Sequence, residues 1–263
     1  MTVPRTTSSP TPASARSERV RAAVRFSIDD DLRFLSHHDE LRLLVRALTR
    51  AGWPVAYSRG FNPLPRVVLP LPRSVGTASD CEWAIVELNE SHPVEQLRQR
   101  LAAALPPACR LHDVVMPAPR AKPHPRRALY AVALAGKHVA QARERILELL
   151  AAETCVVERD HGPGKPTRMI DIRPHIETVT LDDCTLQMRL NFREQRGVRP
   201  TEVMTALKLP ATTYGHHVCR VEVEWDIELA DEETNPASVE RKNVGQKKTC
   251  NTKTHDRTAH KAD

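Results

Sequence analysis

The chain has 263 residues, of which 40% are hydrophobic and only 4% aromatic, and its formal net charge is +6. That apolar share is enough for a packed core built mainly from Leu, Val, Ile and Ala, and the length accommodates one large domain or two small ones. No stretch approaches the roughly 20 apolar residues that cross a bilayer, and residues 1–18 lack the apolar centre of a signal peptide. We therefore expect a soluble cytoplasmic protein without membrane contact.

The positive charge is concentrated near one end of the chain. Seven basic residues and one acidic residue lie between Arg241 and Lys261, whereas residues 19–240 contain 30 basic and 30 acidic residues. The net charge is thus no argument for nucleic-acid binding by the body of the protein. A site for a polyanion there requires local clustering of basic side chains.

The six cysteines lie far apart in the sequence and form no C-x-x-C pair. In a chain of this size that spacing is typical of reduced, mostly buried thiols and not of a disulfide framework. His216, His217 and Cys219 form the only tight His/Cys cluster, whereas a zinc site usually takes four ligands in two close pairs. Because the second pair is missing, we expect no metal and no cofactor.

Hydrophobic periodicity divides the first half of the chain into a β-α-β-β-α-β order. Residues 1–18 are rich in Ser, Thr, Pro and Ala and are predicted to be a disordered tail. Alternation and helical spacing then predict strands over 19–28, 67–69, 81–88 and 109–116, and helices over 36–52 and 93–105. This order is the ferredoxin-like arrangement, so residues 19–116 are predicted to be one ferredoxin-like half.

A similar order follows after residues 117–127, which read as a basic, proline-rich linker. The pattern predicts strands over 129–134, 155–157, 169–176, 178–181, 185–192 and 218–229, and helices over 139–152 and 200–207. We therefore predict an α+β protein with two ferredoxin-like halves in tandem, the second over 128–230. Residues 231–263 are polar and Lys-rich and are predicted to be a disordered tail.

A loop between the first helix and the second strand is the best candidate for a binding site. Its candidate residues for contact with RNA or a partner are Tyr57, Arg59, Gly60, Phe61, Asn62 and Arg66. The two aromatic rings could stack on bases, and the two arginines could meet phosphate. The alternative is an ordered turn in which Phe61 plugs the core and Asn62 caps a bend.

Other arginines cluster around this loop in sequence or follow later in the chain. The further candidates for RNA or partner binding are Arg33, Arg42, Arg46, Arg50, Arg173 and Arg199. Arg42, Arg46 and Arg50 fall one helical turn apart, which suits either a phosphate-binding stripe or a solvated helix face. Arg173 shares one face of a predicted strand with Asp171, where the two would either join a structural ion pair or leave Arg173 facing a ligand.

Four short motifs together resemble the radical-SAM-linked domain family, a family of unknown function. They are Leu32-Arg33-Phe34-Leu35-Ser36-His37 with Asp39, Tyr57-Ser58 with Gly60-Phe61-Asn62-Pro63 and Pro65-Arg66, Asp171-Ile172-Arg173-Pro174, and Val198-Arg199-Pro200. The resemblance covers nearly all of the predicted ordered chain. It implies a companion of a cobalamin-associated radical-SAM protein, with a role in RNA- or ribosome-linked modification.

No three cysteines lie within about eight residues of one another, so this chain does not itself carry the cluster of a radical-SAM enzyme. We expect a non-catalytic accessory protein that binds a radical-SAM partner and, as a further possibility, RNA. One alternative is a metal-independent endoribonuclease in which His37 acts as general base, since imidazole titrates near neutral pH. Another is an adaptor that contacts only protein.

Overall fold

The structure is a computed structural model that describes residues 20–117, 123–160, 164, 166–192 and 197–226. Both predicted disordered tails, over 1–18 and 231–263, lie outside the described residues. Residues 118–122 of the predicted linker lie outside them as well.

The described chain contains ten strands and five α-helices, which confirms the predicted α+β class. The strands are β1 (Val20–Ile28), β2 (Val67–Val68), β3 (Ala78–Leu88), β4 (Cys109–Val115), β5 (His124–Ala133), β6 (Val156–Arg159), β7 (Arg168–Asp171), β8 (Ile176–Asp182), β9 (Thr185–Asn191) and β10 (Cys219–Asp226). The helices are α1 (His37–Arg50), α2 (Val94–Ala104), α3 (Gly136–Ala151), α4 (Pro200–Ala206) and α5 (Ala211–Tyr214).

One large mixed sheet runs through both halves of the chain. Its strands lie in the order β4-β1-β3-β10-β5-β9-β8, and β2 pairs with β3 beside this path. Most neighbours are antiparallel, but β3 and β10 are parallel and pair only at Ala78 with Cys219 and at Ser79 with Arg220. The last strand of the described chain therefore joins the two halves at the middle of the sheet.

Each half of the sheet has a hydrophobic core of its own. In the first, Phe26 of β1 packs with Leu44 of α1 and Leu101 of α2. In the second, Met188 of β9 packs with residues of α3 and with Met204 of α4. These side chains are almost fully removed from water, so burial of apolar surface stabilises both halves.

The start of α1 agrees with the capping pattern in the sequence. Ser36 is the N-cap residue, and its hydroxyl accepts a hydrogen bond from the Asp39 N–H at 3.2 Å. This bond satisfies one of the backbone donors left free in the first turn of a helix. Gly52, with a φ of 63°, follows the C-terminus and lets the chain turn there.

The second half differs from the prediction in two places. β5 begins at His124, inside the span predicted to be linker. The strand predicted over 169–176 is present only in its first part, because β7 ends at Asp171 and a 3-10 turn over Arg173–His175 follows. Pro174 explains the break, since it cannot donate to a strand ladder. Asp171 and Arg173 therefore do not share one strand face.

β6 and β7 form a separate two-stranded sheet. Asp171 stabilises the turn after β7, because its Oδ1 accepts from the N–H groups of Cys155 and Arg173, at 2.7 and 3.1 Å. None of the helices in the described ranges is long and apolar enough to cross a membrane.

Candidate functional site

The predicted loop is a hairpin-like projection with a hydrogen-bonded stem. Tyr57 and Pro65 form an isolated antiparallel bridge, and the N–H of Ser58 donates to the carbonyl of Leu64 at 2.8 Å. The Leu64 N–H in turn donates to the Ser58 hydroxyl at 2.9 Å. These bonds hold the base of the projection, which we call the Tyr57–Arg66 hairpin, and leave its tip to face solvent.

The tip of the Tyr57–Arg66 hairpin presents apolar side chains to water. Phe61 is 100% exposed, and Tyr57 and Leu64 are 49% and 67% exposed. The alternative in which Phe61 plugs the core is therefore wrong. Gly60 precedes it with a φ of 152°, a conformation that residues with side chains rarely adopt. Large exposed apolar groups close together are typical of interaction surfaces.

Of the polar residues of this hairpin, Arg59 and Asn62 are exposed and Arg66 is half-buried. Within the described residues the Arg59 side chain makes no hydrogen bond or ion pair, so its guanidinium is available to a ligand. Arg66 lies 3.4 Å from Glu87, which also pairs with Arg21 at 3.2 Å. The carboxylate of Glu87 thus neutralises much of the charge of Arg66.

The arginine stripe on α1 contains two residues with partners and one without. Arg42 pairs with Asp39 at 3.1 Å, and Arg50 donates to the carbonyl of Ala104 at 2.6 Å. Arg46 is exposed and makes no hydrogen bond or ion pair among the described residues. Of the three arginines in the stripe, Arg46 is therefore the best placed to contact a phosphate.

Arg33 and Arg173 have structural contacts on all sides of the guanidinium. Arg33 donates to the carbonyls of Asp30 and His216, at 3.0 and 2.9 Å, and pairs with Asp29. Arg173 donates to the carbonyls of Leu150, Ala152 and Ile176, at 3.0, 3.1 and 3.1 Å.

The contacts of Arg173 fall on the C-terminus of α3, where the last carbonyls of a helix have no partner of their own. A cation there also interacts favourably with the helix dipole. Arg199, by contrast, is an exposed residue at the start of α4, and among the described residues its guanidinium donates only to the Asp160 carbonyl, at 3.5 Å. Arg33, Arg173 and Arg199 lie on three different elements of the fold.

His37, the candidate base of the nuclease alternative, is the first residue of α1. Burial lowers its pKa, helped by the neighbouring His38, while Glu82 acts in the opposite direction. Its Nδ1 is buried and has no hydrogen-bond partner in the described structure. No carboxylate therefore orients this ring, as a partner usually does for a catalytic histidine.

Behind His37 lies a buried charged cluster that the sequence reading missed. Arg73 pairs with Glu40 at 3.0 Å, and Arg220 pairs with Glu82 at 2.9 Å, all four side chains being at most 3% exposed. Each arginine also donates to backbone carbonyls, among them those of Arg33, Thr77 and Pro72. Such pairing is what makes the burial of charge tolerable.

Desolvation decides the protonation of Glu40 in this cluster. Burial, with the nearby Glu82 as second cause, raises the pKa of Glu40 to about 7, although Arg73 acts against both. A signal for this burial exists in the sequence, because Glu40 lies four residues before Leu44 and eight before Leu48 on the apolar stripe of α1. The partner, Arg73, follows 33 residues later and carries no such signal.

A cavity of about 220 Å³ lies beside this cluster. One wall is the loop Ser74–Thr77, a second is Pro200 and Thr201 at the start of α4, and the third runs from Ala211 to His216. The Gly76 N–H donates to the carbonyl of Arg33 at 2.8 Å, which fixes the loop. Sequence reasoning missed this cavity, because its walls come from segments more than 120 residues apart.

In the described part of the chain, no three His, Cys, Asp or Glu side chains come close enough together to hold a metal ion. Residues 21–200 match the family described as an uncharacterized protein conserved in bacteria (DUF2344). The chain belongs to this family. The matched span of this DUF2344 member includes the Tyr57–Arg66 hairpin, Glu40, Arg73 and the Ser74–Thr77 wall of the cavity.

No curated protein matches the DUF2344 chain. A crystal structure described as an unknown protein from Galdieria sulphuraria is similar over 81% of this chain and 99% of that one, with 14% sequence identity and a TM-score of 0.24. That likeness is too weak to support an argument about fold or function.

Proposed function

We propose that this protein is a non-catalytic accessory protein that uses the Tyr57–Arg66 hairpin to bind a protein partner. The observation that carries the proposal is the complete exposure of Phe61 on a hydrogen-bonded stem. An aromatic side chain exposed at a fixed tip loses little conformational freedom on binding and buries a large apolar area. The motif resemblance points to a radical-SAM protein as the partner.

We also propose that the fold consists of two ferredoxin-like halves and that the protein is cytoplasmic. The strand order β4-β1-β3, with β2 against β3, and the order β10-β5-β9-β8 both support two ferredoxin-like halves, with β6 and β7 as an insertion. The five described cysteines are free thiols, which supports a reducing compartment such as the cytoplasm.

A binding measurement with the purified radical-SAM protein implied by the resemblance tests the proposal. We expect Phe61→Ala to weaken binding by roughly 30-fold or more, as the loss of a central aromatic anchor does. Leu147→Ala is the matched control, because Leu147 is a large exposed apolar residue on α3. Equal affinities for the two variants, or no binding by the unaltered protein, would refute the role of the hairpin.

RNA binding is the second candidate, and it is favoured by Arg46 and Arg59, which are exposed and have no partner in the part of the chain that the structure describes. Each phosphate contact by an arginine releases counterions, so affinity for RNA should fall steeply with salt. We expect Arg59→Ala to make that dependence shallower, with Arg42→Ala as a control because Arg42 already pairs with Asp39. An adaptor that contacts only protein would show no salt-dependent RNA binding.

The nuclease alternative depends on His37 alone. Its buried, unpartnered Nδ1 favours a packing role over catalysis. Cleavage of RNA by the purified protein that His37→Ala abolishes, with RNA binding retained, would support the enzyme. If the unaltered protein does not cleave RNA, the nuclease alternative is refuted and the accessory role is retained.

A further inference from the structure

We propose that the cavity between the Ser74–Thr77 loop and the α4–α5 segment binds an uncharged heteroaromatic ring of nucleobase size. The ring would come from a free nucleoside or from an unpaired base of an RNA. This proposal goes beyond the accessory role, because the cavity uses residues of both halves and none from the Tyr57–Arg66 hairpin.

The size of the cavity sets the first limit on the ligand. A cavity of about 150 Å³ in a protein core accommodates benzene. The volume here, about 220 Å³, admits a larger ring with polar substituents. It is too small for a folded peptide segment, so the ligand is a single ring system or one inserted base.

The chemistry of the walls sets the second limit. Val75, Pro200 and Ala211 supply apolar surface, and no Lys, Arg, Asp or Glu is among the lining residues that the structure describes. An ionic ligand would meet no counter-charge on these walls. The ring that fits is therefore uncharged.

Hydroxyl groups in the walls select a ring with polar edges. Ser74, Thr201 and Thr212 line the cavity, and their side-chain hydroxyls make no hydrogen bond within the described residues. A hydroxyl both donates and accepts, and the edge of a nucleobase carries donors and acceptors side by side. A plain hydrocarbon ring would leave these hydroxyls without partners.

An aromatic surface lies beside the cavity. Phe34 is 50% exposed, and its ring centroid lies 5.5 Å from that of His216, which lines the cavity. Gly76, with a φ of 89°, is required here because an added Cβ would collide with Nδ1 of His216. Nucleobases stack on aromatic side chains, so aromatic rings at and beside the cavity favour a flat ligand.

A positive group outside the cavity suits a ligand that continues into a phosphate. Arg199 is exposed and directly precedes the wall residue Pro200, and within the described ranges its guanidinium makes one long hydrogen bond, to the Asp160 carbonyl. An arginine in this position could meet the phosphate attached to a bound nucleoside. The uncharged walls and the external guanidinium together match the two parts of a nucleotide.

Titration calorimetry with the full-length protein tests the proposal. The probes are the four ribonucleosides, a short RNA hairpin with unpaired loop bases and a fully paired RNA duplex. Ala211→Phe fills the cavity from one wall. Thr213→Phe is the matched control, because Thr213 is exposed on the same short helix but does not line the cavity.

We expect Ala211→Phe to weaken binding by about tenfold or more, and Thr213→Phe to change it by less than about twofold. Binding of free nucleosides that Ala211→Phe removes identifies the nucleoside as the source of the ring. Binding of the looped RNA alone, again lost in Ala211→Phe, identifies an RNA base. No binding by the unaltered protein, or equal binding by both variants, overturns the proposal.

A conservative variant guards against misfolding of Ala211→Phe. Thr212→Val keeps the shape of the wall and removes only a hydroxyl, and we expect it to weaken binding about fivefold with an unchanged melting temperature. Unchanged affinity in Thr212→Val and in His216→Ala would also overturn the proposal. Partner binding through Phe61 is measured separately, so failure of one proposal is distinguishable from failure of the other.

Discussion

Guanidinium groups in this chain have different roles according to what surrounds each one. Arg59 and Arg46 face solvent without partners, whereas Arg173 is surrounded by three carbonyls. The guanidinium groups of Arg59 and Arg46 are therefore available for contact with phosphate or with a protein partner. Arg173 is committed to the C-terminus of α3 and stabilises the fold.

We expect Arg173→Ala to lower the free energy of unfolding by roughly 2–3 kcal/mol, because it leaves carbonyls at the end of α3 without donors. Urea denaturation followed by circular dichroism measures the change. Arg143→Ala, an exposed residue of the same helix, is the control and should change stability by less than about 0.5 kcal/mol. An equal, small effect of both changes would show that Arg173 is free for a ligand.

The protonation of Glu40 couples the stability of the protein to pH. Its pKa is about 7 in the folded state against an ordinary value of 4.5, so the folded state holds the proton more tightly. The contribution of this group to stability is therefore fully present below about pH 4.5 and is lost as pH rises through about 7.

We expect Glu40→Gln to raise the free energy of unfolding at pH 8 by roughly 2–3 kcal/mol and to leave it nearly unchanged at pH 4.5. Denaturation curves of both proteins from pH 4.5 to 8 check this. Glu144→Gln, on the exposed face of α3, should follow the unaltered protein throughout. A less stable Glu40→Gln variant at pH 8 would mean that the attraction of Arg73 exceeds the cost of desolvation.

Among the elements, the Tyr57–Arg66 hairpin differs from its surroundings in having a fully exposed aromatic residue at its tip. Because Phe61 is fully exposed, we expect Phe61→Ser to leave the melting temperature within about 2 °C of the original. Trp53→Ala, in the buried segment before the hairpin, should lower stability by about 3–5 kcal/mol. A large decrease in the melting temperature of Phe61→Ser would indicate that the hairpin stabilises the fold.

The elements that sequence reasoning found are those with a long, regular pattern. The stripe from Leu41 to Leu48 predicted α1, and the Ser36 cap predicted its start. The strand predicted over 67–69 is present as the two-residue β2, but its pairing with Ile85 and Val86 of β3 is set by the fold. A local pattern cannot predict such a pairing.

Candidate site residues were predictable only where the site is local in sequence. The hairpin contains all six of its candidates because they lie within one ten-residue stretch of the sequence. Whether Arg66 is available to a ligand depends on its ion pair with Glu87, which lies 21 residues away in the sequence. The cavity likewise depends on loops from both halves. Contacts over such separations are set by the packing of the sheet.

At the scale of the whole molecule, the junction between β3 and β10 determines whether the halves behave as one unit. Only two residue pairs join these strands, and the buried Glu82–Arg220 pair lies beside them. The junction therefore depends on a charged contact as well as on backbone hydrogen bonds.

We expect Arg220→Met to destabilise the protein by about 3–5 kcal/mol, because it leaves the carboxylate of Glu82 buried without a partner. The double variant with Glu82→Leu should recover most of this loss. Arg145→Met, which breaks a surface pair with Glu148, should cost less than about 1 kcal/mol. Calorimetry measures all three, and an unaffected Arg220→Met would show that the halves are held by the backbone alone.

The position of β10 has a consequence for biosynthesis. The strand that lies between β3 and β5 is the last one in the described chain, ending at Asp226. On the ribosome, the inner edges of both halves stay open until this segment has emerged from the exit tunnel. Open strand edges favour pairing with other chains, so nascent chains stalled before Cys219 should depend on chaperones far more than completed ones.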